Sequence, residues 1–379
     1  MISGGGTGGH VYPALAVVAY LIGQDESRAM SPVDAPLAIC WVGSHNGMEK
    51  ALVDRNGIPF MGIAASGVRG RGVFGAAQGM ITLARGFAQA RRLISIFRPN
   101  VLFATGGYVC APVVLAAWLA RVPIMIYLPD VEPGLTIRLL ARLAQRVAVT
   151  TAASVRYFKP GQAVVTGYPV RQVLCTRHDP TAARERLGLV AQSLGGEERL
   201  EERVLLVMGG SQGAHSINRA ICDGIEPLLA EAQVIHLTGR RDIEWVRERR
   251  AALPDALRAR YHVYDYLEDE VADALLAADL VVARAGASTL GELPAAGVAS
   301  ILVPYPYAGA HQWANANFLA GAGAAVIVPD HMVGCQLVPT AVALLRDAPR
   351  REAMARAARS LAQPDAAARI ARELRELAS

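Results

Sequence analysis

Short runs of aliphatic and β-branched residues recur along the chain, each followed by a longer interval in which apolar positions return every three or four residues. The runs at 37–43 (LAICWVG), 100–104, 122–127 (VPIMIY), 147–150, 203–208 (RVLLVM), 233–237, 279–283 (DLVVA) and 299–303 (ASILV) predict buried strands. Intervals such as 135–145 (LTIRLLARLAQ) and 212–230 carry helical periodicity. Strands alternating with helices predict parallel sheets built from right-handed βαβ units.

The pattern begins twice. ISGGGTGGHVYPALAVV at the start has a counterpart in LVMGGSQGAHSINRAI, where a strand again enters a glycine-rich turn and then a helix. Two doubly wound sheets in tandem account for this repetition and for a length of 379 residues, since single cores rarely grow beyond about 250–300 residues. The junction is expected near TGYPVR (Thr166 to Arg171), giving domains at 1–168 and 169–348. The Ala/Arg-rich tail, 349–379, is expected as a charged amphipathic helix packing back on the first domain. Only Met1, Ile2 and Ser3 precede the first glycine run, whereas a strand in a βα unit usually has about five residues, which predicts a native start upstream.

Composition narrows the chemistry. Hydrophobic residues make up 53% of the chain and aromatic residues 6%, so the core is aliphatic, as suits parallel strands covered on both faces. The five cysteines (Cys40, Cys110, Cys175, Cys222, Cys335) show no CxxC spacing, so neither a zinc site nor a disulfide framework is indicated and reduced thiols are expected. No run is long and apolar enough for a spanning helix, and the first residues do not read as a signal peptide. Lysine occurs only at Lys50 and Lys159, so the net charge of +5 is carried by arginine and lysine nucleophiles are not expected.

The glycines point to an anion. Glycine lets backbone approach a ligand closely, and a helix beginning there aims its positive end at a negative group. Gly4-x-Gly6-x-x-Gly9 formally matches the dinucleotide fingerprint, but the second strand ends WVGSHNG without the acid that such a site uses on its ribose, so no nicotinamide or flavin cofactor is expected. The second loop, Gly209 to Gly213 with Ser211 and Gln212, reads either as a diphosphate cradle or as a tight turn. In RAGASTLGELPAAG, Glu292 either completes a capping box with Thr289 or accepts the hydroxyls of a ribose.

Together these segments resemble the peptidoglycan N-acetylglucosaminyltransferase (MurG) family. The resemblance runs through GGTGGHVYPALAV, VRGRG, GGYVCAP, PGLTIRLLAR, TGYPVR, GGSQGAHSIN, RAGASTLGEL and VPYPYAGAHQWANA, in order and over nearly the whole chain. It implies an α/β protein with two Rossmann-like doubly wound domains facing a cleft (the GT-B architecture) and an inverting, metal-independent transfer with no cofactor. The implied donor is UDP-N-acetylglucosamine, and the implied acceptor is the 4-hydroxyl of undecaprenyl-pyrophosphoryl-N-acetylmuramoyl-pentapeptide. By position the resemblance assigns Arg171, Ser211, Gln212, Asn218, Arg284, Glu292, His311 and Gln312 to the donor, and Thr7, Gly8, Gly9 and Tyr108 to the acceptor. His10, at the helix start, reads as the base for the reacting hydroxyl or as a structural residue bonded to backbone.

The chain departs from the family at YLPDVEPG, where Tyr127 and Leu128 replace the usual His-Glu. Asp130 becomes a second candidate base, although Asp130-x-Glu132 also reads as helix-capping acids or as a metal-binding pair. Diacylglycerol as acceptor and sugar-nucleotide epimerisation are the competing readings. Between Arg69 and Arg98 the chain has six arginines (Arg69, Arg71, Arg85, Arg91, Arg92, Arg98) and no acid, interleaved with apolar residues. Such a stretch suits an anionic membrane surface, hence a peripheral position on the cytoplasmic face of the cell membrane, or else an ordinary helix with a solvated arginine face. No recognition fold for nucleic acid accompanies it.

Overall fold

Aliphatic runs become strands here because each is covered on both faces by helices. The computed structural model describes residues 1–6, 8–28, 37–65, 73–176, 179–189, 203–210, 213–306 and 311–379. The contacts divide the chain into two units, Met1–Val170 with Gln363–Ser379, and Arg171–Ala362.

The first unit runs β1 (Ile2–Gly4), α1 (Gly8–Arg28), β2 (Trp41–Ser44), α2 (Glu49–Arg55), β3 (Phe60–Ile63), α3 (Val73–Phe97), β4 (Leu102–Gly106), α4 (Cys110–Leu119), β5 (Ile124–Leu128), α5 (Leu135–Leu140), β6 (Arg146–Val149) and β7 (Ala163–Val165). Its parallel sheet has the order β3-β2-β1-β4-β5-β6-β7. The core gathers Leu102, Val113, Ile124, Ile126 and Val147, all fully buried. Each such side chain contributes about 1.5–3 kcal/mol relative to exposure.

The second unit runs α6 (Gln172–Thr176), α7 (Pro180–Arg186), β8 (Val204–Met208), α8 (His215–Asp223), α9 (Ile225–Glu231), β9 (Gln233–Leu237), α10 (Ile243–Ala251), α11 (Asp255–Arg258), β10 (Tyr261–Tyr264), α12 (Val271–Ala277), β11 (Leu280–Ala283), α13 (Thr289–Ala296), β12 (Ala299–Leu302), α14 (His311–Gly321), β13 (Ala325–Ile327), α15 (Val333–Arg346) and α16 (Ala348–Ser360). Its sheet, also parallel, is ordered β10-β9-β8-β11-β12-β13. The doubly wound class expected from the sequence is what both sheets show.

Two helical expectations change. The interval 212–230 is two helices, because Gly224 falls between them where a β-carbon would press on Val338. The tail is likewise two helices: α16 packs on α13 and β12, and after Pro364 the chain enters α17 (Ala366–Ala378), which packs on α1.

In each sheet the strand order reverses at one point, between β1 and β4 in the first and between β8 and β11 in the second. Ligands of open parallel sheets bind beyond the carboxyl ends of the strands at such points. The first glycine run follows β1 and GGY (Gly106 to Tyr108) follows β4, while the second glycine loop follows β8 and RAGAS (Arg284 to Ser288) follows β11.

Candidate active site

In the first unit the switch point holds a histidine whose tautomer is set by backbone. His10 is the third residue of α1, and its Nδ1 lies 2.8 Å from the Thr105 carbonyl oxygen at the end of β4. A carbonyl only accepts, so Nδ1 carries the proton and Nε2 presents a lone pair. The Thr105 hydroxyl donates to the His10 carbonyl at 2.7 Å, so one strand end holds both the ring and the main chain of this residue. Burial lowers the imidazole pKa, while the charge of Asp130 and the Thr105 hydrogen bond act to raise it.

Glycine at 106 is a steric requirement. Its φ is +116°, and a β-carbon there would lie 2.7 Å from Cε1 and Nδ1 of His10. The Tyr108 ring lies beside Gly6, where a β-carbon would stand 3.6 Å from Cε1, and 40% of this tyrosine is exposed. Thr7 lies outside the described residues. Gly8 and Gly9 form the first turn of α1 with His10, where backbone N–H groups lack intrahelical partners.

Asp130 follows β5, and its charge acts on both His10 and Tyr127. The Thr150 hydroxyl, 2.9 Å from the Pro129 carbonyl oxygen, ties down the loop that carries it. Tyr127 and Leu128 are core residues. The Tyr127 hydroxyl is buried against Thr150 Oγ1 (2.9 Å) and the Gly167 carbonyl (3.3 Å), so neither replaces the polar groups that the family usually has there. Among the described residues, no group of three His, Cys, Asp or Glu side chains gathers as a metal site.

In the second unit Ser211 and Gln212 lie outside the described residues. On either side of them, the Gly213 N–H donates to the Gly210 carbonyl at 2.9 Å. Asn218, which the resemblance assigns to the donor, lies inside the second unit. It is fully buried, its amide donates to the Thr238 carbonyl and to Asp242, both at 2.8 Å, and its Oδ1 accepts from His236 Nε2 at 3.0 Å. Both amide hydrogens and the oxygen thus bond within the unit, and the side chain holds α8 to β9.

Arg284 is also committed within the fold. Its guanidinium donates to Asp330 (2.6 Å), the Val303 carbonyl (3.2 Å) and the Ser216 hydroxyl (2.8 Å), and lies 5.2 Å from the centre of the Tyr305 ring. The surface presented above it is Tyr305, 41% exposed. Gln312 completes this arrangement by accepting the Tyr305 N–H at 2.8 Å. His311 opens α14, and its buried Nδ1 has no partner among the described residues.

Glu292 is half-buried on α13. Burial raises its pKa, opposed by a hydrogen bond from Ser288 and by the nearby charge of Arg171. The capping box with Thr289 is absent, since Thr289 is the first residue of α13 rather than its cap, and its hydroxyl donates to the Gly286 carbonyl at 2.6 Å. Arg171 donates to the Glu268 carbonyl and lies 3.8 Å from Asp269. The sequence reading missed Tyr305 and Glu49, the latter a buried carboxylate beneath the first glycine loop. Glu49 had no signal in the sequence, while Tyr305 stood inside the segment VPYPYAGAHQWANA.

Comparison with known proteins gives the family. Residues 1–149 match the N-terminal domain of glycosyltransferase family 28 and residues 204–370 match its C-terminal domain. The chain is therefore a glycosyltransferase of the two-domain GT-B class. A UDP-N-acetylglucosamine–N-acetylmuramyl-(pentapeptide) pyrophosphoryl-undecaprenol N-acetylglucosamine transferase of Roseiflexus sp. (strain RS-1) is 43% identical over 97% of this chain and 92% of its own length. The crystal structure of Acinetobacter baumannii MurG superposes with a TM-score of 0.72 at 28% identity, covering 99% of this chain and 98% of that one. The chain belongs to this MurG family. A UDP-GlcNAc 2-epimerase from Neisseria meningitidis, at 13% identity and a TM-score of 0.63 over 99% of this chain and 98% of its own, shares the fold alone.

Proposed function

We infer that this protein transfers N-acetylglucosamine from UDP-N-acetylglucosamine to the 4-hydroxyl of the muramoyl sugar of undecaprenyl-pyrophosphoryl-MurNAc-pentapeptide, a step of peptidoglycan synthesis. Similarity over nearly the full length of named transferases supports this reading above a diacylglycerol acceptor or epimerisation. The observation that carries the mechanism is the His10 ring, whose Nδ1 proton is held by the Thr105 carbonyl so that Nε2 is the basic nitrogen.

In this reading the first unit holds the acceptor and the second the donor. Nε2 of His10 removes the proton from the 4-hydroxyl as that oxygen attacks the anomeric carbon. The bond from that carbon to the diphosphate breaks with inversion, and UDP leaves. Asp130 stabilises the imidazolium that forms, consistent with its upward pull on the His10 pKa. Gly8, Gly9 and Tyr108 line the acceptor side with Thr7. On the donor side Ser211 and Gln212 meet the diphosphate, Glu292 accepts the ribose hydroxyls beside Arg171, and His311 and Gln312 meet the sugar. Arg284 and Asn218 act only by holding these groups in place.

The acceptor is anchored in a bilayer, which calls for a membrane-facing surface. Much of the apolar side of α3 is used internally, since Phe87, Leu93, Ile94 and Phe97 pack in or against the core. Arg69 and Arg71 lie outside the described residues. Exposed apolar side chains remain on α3 (Ile81, Leu83, Ile96) and occur also on α4 (Leu115, Trp118, Leu119, spaced for one helical face) and on α5 (Leu135, Leu139). Arg121 and Arg138 stand among them in sequence with Asp130 and Glu132, and Arg142 follows. This surface fits peripheral binding to anionic lipid. No helix among the described residues is long and apolar enough to cross a membrane.

The test is transfer of labelled N-acetylglucosamine to a short-chain analogue of the muramoyl-pentapeptide lipid, with diacylglycerol in a parallel reaction. Transfer to the first alone supports the reading. UDP binding without transfer to the muramoyl lipid overturns it.

A further inference from the structure

The first glycine loop leaves β1 through Gly5 and Gly6, and both neighbouring strands pin it. On the β4 side, the Gly5 N–H donates to the Gly106 carbonyl at 3.3 Å. On the β2 side, the Gly6 N–H donates to Oε2 of Glu49 at 3.2 Å, and the other oxygen of the same carboxylate accepts the Ser44 N–H at 2.8 Å. Glu49 is the first residue of α2 and is fully buried. A carboxylate there commonly bonds the N–H groups of its own helix, but this one turns toward two other loops.

The space around it shows that this placement is built. A β-carbon at Gly47 would overlap the Glu49 carboxylate, one at Gly5 would lie 2.5 Å from its Oε1, and one at Gly43 would lie 3.0 Å from its Cγ. Gly5 and Gly47, from two separate loops, and Gly43 in β2, where a β-carbon would also meet Phe60 at 2.6 Å, thus leave the volume that a single carboxylate fills. Burying a carboxylate is costly unless donors satisfy it, and here two backbone N–H groups do so.

We propose that Glu49 is a positioning residue of the acceptor reaction, its buried carboxylate clamping the first glycine loop through the Gly6 amide to the end of β2. The amide held in this way is not offered to a ligand. The clamp instead fixes the path of the chain from β1 to His10 and sets Gly6 against the Tyr108 ring. This rests on the reading of the first unit as the acceptor side.

The test compares wild type, Glu49→Gln and Gly47→Ala in the transfer assay. Glu49→Gln keeps the volume but turns an amide donor toward a backbone N–H; Gly47→Ala displaces the carboxylate without altering Glu49. Both variants are expected to raise the acceptor KM about tenfold or more while the donor KM and UDP affinity stay within about twofold, and the double variant is expected to be no worse than either alone. An unchanged acceptor KM overturns the proposal, as does equal movement of both KM values, or a loss confined to kcat that follows the folded fraction in thermal melts. Amide hydrogen exchange at Gly6 and Ser44 reads the clamp even if wild type transfers nothing, an outcome that sinks the functional reading separately. Exchange in Glu49→Gln should be at least about tenfold faster than in wild type, and unchanged exchange overturns the clamp.

Discussion

The Nδ1 of His10 and the carbonyl oxygen of Thr105 are 2.8 Å apart, and this one contact decides which nitrogen of the imidazole is available for chemistry. It also joins the first glycine run to the strand on the other side of the switch point. Four predictions follow from this and related contacts.

Replacing His10 with Ala should lower kcat by about 10²–10⁴ while leaving UDP binding intact. Burial depresses the imidazole pKa, so the basic form required for catalysis persists below pH 6.5, and the acid limb of kcat/KM should fall below that value. Asp130 acts to raise the same pKa, so Asp130→Asn should move the limb further down and retain measurable activity. A pH profile on both variants checks this, and complete loss in Asp130→Asn with activity surviving in His10→Ala would transfer the base role to Asp130.

Gly106→Ala should cost about 1–3 kcal/mol in stability from its positive φ alone, and it should also displace the His10 ring, which a β-carbon would meet at 2.7 Å. Chemical denaturation and kcat on the folded fraction separate the two effects. A variant with unchanged kcat would show that the ring position does not matter.

Asn218→Ala should destabilise the protein by about 1–3 kcal/mol, because partners inside the unit lose their bonds, while UDP affinity of the folded protein is unchanged. His236, bonded to Asn218 and Tyr261, has its pKa pushed down to about 3 by burial. Its unfolded form titrates near 6.5, so the stability gained from a neutral His236 is full above that pH and declines as pH falls toward about 3. His236→Gln should flatten this part of the melting-temperature profile, and an unaltered slope would exclude His236 as its source.

Trp118→Ser with Leu119→Ser should weaken binding to anionic vesicles by about tenfold or more, since two side chains 47% and 55% exposed lose their apolar area. Transfer to a water-soluble acceptor analogue should be unaffected. Equal vesicle binding by wild type and variant would remove α4 from the membrane surface.

The central strands were legible because they are continuous aliphatic runs buried on both faces. The strands not announced by the pattern, β3, β7, β10 and β13, are the edges of the two sheets, three or four residues long and partly exposed. An edge strand has one partner and needs less apolar character, so its signal fades into the loops around it. The break at Gly224 is marked in the sequence by Gly224 and Pro227, two residues that interrupt a helix, inside an interval whose apolar periodicity otherwise runs on.

The sequence by itself determined the class of fold, the two glycine loops and the family, because these depend on local periodicity and on ordered motifs. It also singled out His10. Only the tertiary structure decided what each polar group is free to do. Asn218 and Arg284 look like ligand contacts in their motifs but are bound within the second unit by partners as far off as Asp242 and Asp330. Glu49 looks like an ordinary first-turn acid of a helix but is held by Gly6, forty-three residues earlier. A hydrogen-bonding side chain in sequence is only a capacity; whether it reaches a ligand or the protein interior depends on which strand ends the sheet order brings together.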